Sequence, residues 1–217
     1  VPETLPPGSD VGSMSLLGYD PREHHTGRAP LEAVARGVPL GQHDWAIRCN
    51  LVTVTDGRMA SYTAGQIPGE IASGLLSSLQ EDVAGNKDGF WQYLTGVSYR
   101  NLLIYRSLDA RSPFSPDTSS TPPHDITNLP ISNHLPAGPG AEVLTTLMDR
   151  SVPVLAHDAD NRARGAAAAT QVWLWGLGQR PGLANFNDRF GVRGAMIAAV
   201  DLLRGIGRLL GWTVIEV

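Results

Sequence analysis

One serine lies in a context that could support chemistry on an anion. Ser9 follows Gly8, precedes Asp10, and stands just before a stretch that predicts a short helix at 14–17. A hydroxyl at a helix N-terminus lies where backbone N–H groups and the helix dipole favour negative charge. The same residue types also form ordinary N-caps, because their side chains accept hydrogen bonds from the first turn. Spacing alone leaves both interpretations open.

Two arginines stand inside apolar segments that predict strands. Arg48 lies in Ala-Ile-Arg-Cys-Asn at 46–50, and Arg100 lies in Val-Ser-Tyr-Arg-Asn at 97–101. A buried charge without a partner is costly, so a guanidinium in such a place needs an anion. That anion is either a structural carboxylate or the phosphate or carboxylate of a substrate, which a guanidinium binds with two parallel hydrogen bonds.

Histidines supply the next candidates. His124 and Asp125 are adjacent in a segment rich in Pro, Ser and Thr. A histidine there could bind an anion, relay a proton, or simply be solvated. His24 and His25 are also adjacent, but neighbouring side chains point in different directions on a regular element. No third ligand stands at metal-binding spacing, so we assign no metal to that pair.

The composition is that of an ordinary globular chain. It has 217 residues, of which 42% are hydrophobic and 18% charged, so it can bury a core. The net charge of −4 gives no electrostatic support for binding nucleic acid or a membrane surface. The single cysteine, Cys49, allows no internal disulfide and fits a reducing cytosol. Its apolar surroundings predict a buried, unreactive thiol.

The hydrophobic pattern predicts the elements that position these residues. Helices are predicted at 29–37, 67–79, 142–155, 161–168 and 200–210, with the third kinked or ended near Pro153. Strands are predicted at 43–55, 59–64, 91–94, 98–105, 172–175 and 212–217, with turns at Gly57 and at 95–96. Residues 111–140 predict a long loop, which in a compact domain is more often functional than idle. This order indicates an α+β fold with a helix-backed mixed or antiparallel sheet.

Several short blocks, taken in order along the chain, resemble one enzyme family. They are Gly-Ser-Asp-Val-Gly at 8–12, Thr-Gly-Arg-Ala-Pro at 26–30, Ile-Arg-Cys-Asn-Leu at 47–51, Ser-Tyr-Thr-Ala-Gly at 61–65, Gly-Val-Ser-Tyr-Arg-Asn at 96–101, Pro-His-Asp-Ile at 123–126, Val-Trp-Leu-Trp-Gly at 172–176 and Phe-Gly-Val-Arg-Gly at 190–194. Together they resemble the archaeal-type 2,3-bisphosphoglycerate-independent phosphoglycerate mutases, which belong to the alkaline-phosphatase-like metalloenzymes. The blocks cover nearly the whole chain, so the resemblance is specific.

The resemblance implies an alkaline-phosphatase-like α/β core with a smaller α+β domain inserted just after the nucleophile. Residues 1–30 would be a core fragment with the nucleophile loop, residues 31–170 the inserted substrate-binding domain, and residues 171–217 the returning core fragment. The implied parent enzyme is glycolytic and cytoplasmic. It interconverts 3-phosphoglycerate and 2-phosphoglycerate through a phosphoserine intermediate.

The resemblance also implies roles for individual residues. Ser9 would be the nucleophile and a ligand of one of two divalent ions, manganese or zinc, which make a serine alkoxide accessible at neutral pH. Either Arg193 or Arg204 would add a cation from the core side, and the resemblance does not choose between them. The chain departs from the family at Ser13, often His or Asn, and at the His24-His25 pair, often two aromatics. The implied substrate contacts in the inserted domain are Arg48, Arg100, His124 and Asp125.

Two other interpretations of the same residues remain open. Bacterial relatives with the Ser-Asp-Val-Gly pattern resemble proteins proposed as homoserine kinases or as phosphonate-processing enzymes. The chain could instead be a non-catalytic binding or assembly domain. The expected partner is a small-molecule phosphoglycerate, with no nucleic acid and no membrane, and a homo-oligomer is left open.

We expect this chain to be an internal piece of a longer protein, with further metal ligands beyond both ends. Ser9 is the one expected ligand within it, and a single ligand cannot hold a catalytic ion. The 217-residue chain by itself should therefore be metal-free and inactive. An assay with 3-phosphoglycerate and manganese measures this, and formation of 2-phosphoglycerate above the blank would contradict it.

Overall fold

The computed structural model describes residues 8–84 and 90–215, which form two compact units. The middle unit comprises residues 46–177, and the terminal unit comprises residues 8–45 with 178–215. The sequence placed the divisions after 30 and 170. The helix at Ala29–Ala35 packs against the helix at Asp201–Leu209, which assigns it to the terminal unit. The roles given to the three segments stay predictions.

The described elements follow one another in a mixed order. The helices are α1 (Ser9–Leu16), α2 (Pro21–His24), α3 (Ala29–Ala35), α4 (Gly69–Val83), α5 (Ala141–His157), α6 (Ala159–Ala163), α7 (Phe186–Phe190) and α8 (Asp201–Leu209). The strands are β1 (Trp45–Thr55), β2 (Arg58–Ser61), β3 (Phe90–Val97), β4 (Arg100–Arg106), β5 (Gln171–Gly178), β6 (Ala195–Ile197) and β7 (Thr213–Ile215). Short 3-10 helices occur at Pro123–Ile126, Ile131–Asn133 and Gly165–Ala167.

Strand β1 is the centre of the middle unit. The sheet order is β2-β1-β4-β3, and β5 also pairs with β1. The first nine residues of β1 are buried, as in a strand covered on both faces. Side chains alternate along a strand, so Arg48 and Asn50 share one face and Cys49 lies on the other. The predicted burial of Cys49 is confirmed, and this burial raises the pKa of its thiol.

Two antiparallel hairpins build most of this sheet. The predicted turn at Gly57 is confirmed: Asp56 and Gly57 both have positive φ, as a tight two-residue hairpin turn requires. The predicted turn at 95–96 is wrong. The chain reverses at Ser98, whose φ is 56°, and residues 95–96 form an irregularity within β3. The Gly96 N–H donates to the Asn101 side chain instead (2.8 Å).

Helices cover the sheet, as the pattern predicts. Helix α4 packs against β3 and α5 and buries apolar residues at helical spacing, namely Ala72, Leu75, Leu76, Leu79 and Val83. Helix α5 continues through Pro153 to His157. Of the two predicted alternatives, an end near Pro153 is therefore wrong, and a kink there stays a prediction. The His157 ring lies 2.7 Å from the Pro153 carbonyl and closes that last turn.

The terminal unit is small and is built around α8. Strands β6 and β7 pair in parallel, with α8 as the connection. Its core contains Met14, Tyr19, Leu31, Leu202, Ile206 and Leu210. The sequence spacing predicts an apolar face of Val200, Leu203, Ile206 and Leu210 for this helix. That face is partly wrong, because Val200 is exposed while Leu202 and Gly205 are buried. The predicted strand at 212–217 is described as far as Ile215, and its last two positions lie outside the described residues.

The α+β class with a helix-backed, partly antiparallel sheet is confirmed. Within the described residues, no helix combines the length and the apolar character that crossing a membrane requires.

The contact between α3 and α8 depends on a glycine. A side chain at Gly205 would run into the backbone carbonyl of Leu31. We therefore expect Gly205→Ala to lower the free energy of unfolding by about 1–3 kcal/mol, the usual cost of overpacking. Gly12→Ala is the matched control, because open space surrounds Gly12; it should raise stability by up to about 1 kcal/mol. Urea denaturation measures both, and equal effects would contradict the packing argument.

Candidate functional site

The candidate site of the middle unit begins with a buried cation on β1. Arg48 is 6% exposed, and its guanidinium carbon lies 4.2 Å from the centroid of the Trp175 ring on the adjacent strand β5. At this distance the cation meets the negative face of the indole, an attraction that grows when water is excluded. The indole therefore offsets part of the cost of burying Arg48.

Asn50 fixes the position of that indole. Its side-chain oxygen accepts a hydrogen bond from Trp175 Nε1 (3.0 Å), and its amide nitrogen donates to the Tyr62 carbonyl (3.2 Å). Asn50 is 2% exposed, so both ends of a buried amide are satisfied. This residue joins β5 to the chain just after β2.

The long 111–140 loop brings His124 to the same face of the sheet. Trp173 Nε1 donates to the Thr121 carbonyl (2.8 Å), and the Gly176 N–H donates to Ser120 Oγ (3.0 Å). Both bonds tie the loop to β5 a few residues before His124. The loop is thus an ordered cover of the sheet.

The His124 ring packs between two aromatic rings. Its centroid lies 5.5 Å from that of Trp175 and 6.0 Å from that of Tyr62, both edge to face. The side chain remains 45% exposed, and its Nε2 lies 3.5 Å from the Asp125 carboxylate. His124 is thus held by its ring while nearly half of its side chain stays exposed.

Arg100 stands at the other end of this group of rings. Tyr62 packs against Tyr99 at 6.0 Å, and the exposed Arg100 guanidinium lies 4.5 Å from the Tyr99 ring. We call Trp175, His124, Tyr62 and Tyr99 the ring series. The structure therefore brings Arg48 and His124 together on Trp175 and places Arg100 at the far end of the ring series.

An unusual turn follows Tyr62. Ala64, Gly65 and Gln66 have φ values of 43°, 59° and 56°, three successive residues in the left-handed region, which is costly for residues other than glycine. Arg164 holds the turn by donating from Nη2 to the Ala64 carbonyl (2.7 Å). Burial lowers the pKa of Arg164. Backbone strain of this kind concentrates at functional sites.

Ser9 lies in the terminal unit as the exposed first residue of α1. Gly8 is the N-cap and no side chain caps this helix, so the N-cap interpretation of Ser9 is wrong. The neighbouring Asp10 is buried. It accepts from the Val11 N–H (3.0 Å) and lies 2.9 Å from His25 Nε2. Burial alone would raise the pKa of Asp10, but the hydrogen bond and charge of His25 and the Val11 N–H outweigh it, and the pKa is lowered.

The two alternative core-side arginines have different surroundings. Arg193 is exposed in the segment after α7. The Arg204 guanidinium contacts the Asp201 carboxylate one turn earlier in α8. A substrate role for either residue stays a prediction. A cavity of about 470 Å³ in the terminal unit, lined by residues that include Gln42, Gln179 and Arg180, contains none of the predicted site residues.

The described residues do not assemble a metal centre. In the ranges 8–84 and 90–215, no three His, Cys, Asp or Glu side chains are grouped so that they could hold an ion. Ser9 offers one oxygen, and the Asp10 carboxylate is engaged by His25. These donors do not fit the two-ion site that the resemblance implies.

Sequence reasoning missed the residues that hold the candidates in place. The sequence pattern places Trp175 in a buried strand and assigns no role to Asn50, Tyr62 or Tyr99. The signal was partly present: Asn50 and Tyr99 stand in blocks with a predicted site residue, and Trp175 stands on the strand that ends the middle unit. Its meaning depends on which strands become neighbours.

Comparison with known proteins shows to which family the chain belongs. The sequence model described as 2,3-bisphosphoglycerate-independent phosphoglycerate mutase matches residues 1–161. A relative of that description from Methanothrix thermoacetophila is 44% identical over 100% of this chain and 53% of its own length. A probable one from Geobacter sulfurreducens is 43% identical over 100% of this chain and 54% of its own. The chain thus spans about half the length of the curated relatives it matches.

A solved structure supports the fold. It is described as a cofactor-independent phosphoglycerate mutase from Thermoplasma acidophilum, and it superposes with a TM-score of 0.61 over 98% of this chain and 57% of that one. The two sequences are 24% identical.

The pair of Asp10 and His25 yields a stability prediction. Substitution His25→Leu should lower the free energy of unfolding by about 1–3 kcal/mol, because a buried carboxylate loses its partner. In an Asp10→Asn background the same substitution should cost less, since a neutral amide depends less on the histidine. Urea unfolding of the four proteins measures the coupling, and equal costs in both backgrounds would refute the pairing.

Proposed function

Because this chain belongs to the 2,3-bisphosphoglycerate-independent phosphoglycerate mutase family, we propose that the protein interconverts 3-phosphoglycerate and 2-phosphoglycerate. Transfer runs through a phosphoserine at Ser9. The bond from phosphorus to one glycerate oxygen breaks as the bond from phosphorus to Ser9 Oγ forms, and the proton released by Ser9 balances the one taken up by the departing oxygen. Return of the phosphoryl group to the other hydroxyl completes the isomerisation.

The arrangement around Trp175 is the observation that best supports this proposal. A phosphoglycerate carries a carboxylate and a phosphate, and a guanidinium matches either with paired hydrogen bonds. Arg48 is held over the indole of Trp175, and His124 packs against the same ring with 45% of its side chain exposed. Groups held in place before binding need no reorganisation when charge shifts during transfer.

Asp125 and Arg100 complete the proposed substrate contacts. A carboxylate accepts hydrogen bonds only, so Asp125 suits a hydroxyl of glycerate rather than its anionic groups. The exposed Arg100 suits the second anionic group. A ligand with one hydroxyl between two anions matches this set.

The family resemblance implies two divalent ions, manganese or zinc, for the whole protein. The described residues supply no donor set for these ions. Arg193 and Arg204 stay candidates for a cation near Ser9. We infer a phosphoglycerate as the small-molecule partner and a cytoplasmic setting, and the oligomeric state is left open.

The nucleophile is tested in the longest natural protein that contains this sequence. Ser9→Ala should reduce turnover of 3-phosphoglycerate by on the order of 10⁴-fold or more, because the acceptor oxygen is lost. Ser15→Ala is the matched control on the same helix, since the Ser15 hydroxyl donates to the Val11 carbonyl. It should leave turnover within about twofold. Mass spectrometry should find the phosphoryl group on Ser9.

Retained turnover in Ser9→Ala would refute the assigned nucleophile. The same protein should be offered homoserine with ATP, and a phosphonate. Phosphorylation of homoserine, or phosphonate processing, without mutase activity would replace the proposed reaction by the related one. Binding of phosphoglycerate without any turnover would favour a binding domain.

A further inference from the structure

Trp175 and Trp91 are two equally buried tryptophans of the middle unit, but their indole rings have different packing partners. Trp175 and Trp91 are both 4% exposed. Trp91 packs against two aromatic rings, those of Tyr105 and Phe114. Trp175 instead carries the guanidinium of Arg48 on its face and the ring of His124 against it. An indole that only filled the core would gain nothing from a buried cation, which must be desolvated.

The Arg48 guanidinium carbon lies 4.2 Å from the centroid of the Trp175 ring. A cation–π attraction acts between the positive charge and the face of the ring, and it does not use hydrogen-bond donors. The cation–π contact therefore restrains the group without consuming the donors that grip an anion.

Asn50 makes the platform rigid. Its buried amide accepts from Trp175 Nε1 and donates to the Tyr62 carbonyl, so rotation of the indole would break its hydrogen bond to an amide that is itself held in place. Tyr62 in turn packs against His124. One closed set of contacts thus holds the surroundings of both Arg48 and His124.

We propose that Trp175, locked by Asn50, is a positioning residue that sets the mutual placement of Arg48 and His124 for gripping phosphoglycerate. The role rests on the proposed function, because it deepens the substrate site assigned there. Trp175 itself need not touch the substrate. Its effect passes through the orientation of the guanidinium and the imidazole.

The first measurement needs no substrate. In the chain as given, the Arg48 Nε–Hε signal in an NMR spectrum should be shifted by the ring current of Trp175 and should report slow rotation of the guanidinium. Trp175→Leu should abolish both features, and Trp175→Phe should keep part of the shift because a ring remains. Trp91→Phe and Trp91→Leu, the matched controls, should leave the Arg48 signal unchanged.

The second measurement uses 3-phosphoglycerate with the longest natural protein that contains the sequence. Trp175→Leu should raise KM about tenfold or more, and Trp175→Phe about threefold to fivefold, consistent with loss of a desolvated cation–π contact. Trp91→Phe should stay within about twofold. Unfolding curves recorded alongside separate a KM effect from lost stability.

The outcomes separate this inference from the proposed function. If Trp175→Phe and Trp91→Phe change KM equally, the positioning role is refuted while the mutase activity stands. The positioning role is also refuted if Trp175→Leu leaves the Arg48 signal unchanged. If the unmodified protein shows no reaction with 3-phosphoglycerate, the proposed function fails, and the NMR result then describes a structural contact alone. Where Trp175→Leu does not fold, the two phenylalanine variants decide.

Discussion

A positive charge buried in the central strand is the constraint around which the middle unit is organised. Desolvating a guanidinium is costly, and the fold offsets that cost with a polarisable ring rather than by exposing the strand. The ring must then be held, which Asn50 does, and the segment after β2 must approach closely enough to accept the Asn50 amide. The contacts of Asn50 and of the ring series therefore hold the surroundings of Arg48.

Local chemistry made part of the fold predictable from the sequence. Asp56-Gly57 tolerates positive φ at both positions, so that hairpin follows from two residues. The leucines of α4 likewise recur at helical spacing, so this helix is predictable from its own residues. The failures have non-local or compensated causes. Gly96 looked like a turn, but Asn101 satisfies its N–H and turns it into an irregularity within a strand. Pro153 removes a single N–H, and helix α5 tolerates that loss.

The residues of the candidate site likewise fall into those that the sequence predicts and those that depend on contacts between distant segments. The sequence identified the charged candidates, because an arginine in an apolar strand and a histidine beside an aspartate are unusual by type. It did not identify their supports, because Asn50 and Trp175 are 125 positions apart and neither is unusual alone. The Asp10–His25 contact was hidden for another reason: adjacent histidines were weighed only as metal ligands. A support is recognisable only once strand neighbours are known.

The left-handed turn after Tyr62 has a consequence for the order in which the molecule forms. An unfolded chain rarely places three successive residues there, and two of these three are not glycine. Ser61 and Thr63 accept local hydrogen bonds from the Gly65 and Gln66 N–H groups, and a further bond to the turn comes from Arg164, 100 positions away. Closing so long a loop costs entropy before the contact forms. We therefore expect the Arg164 bond that completes this turn to form late in folding, after the sheet has brought the segment beyond α6 into place.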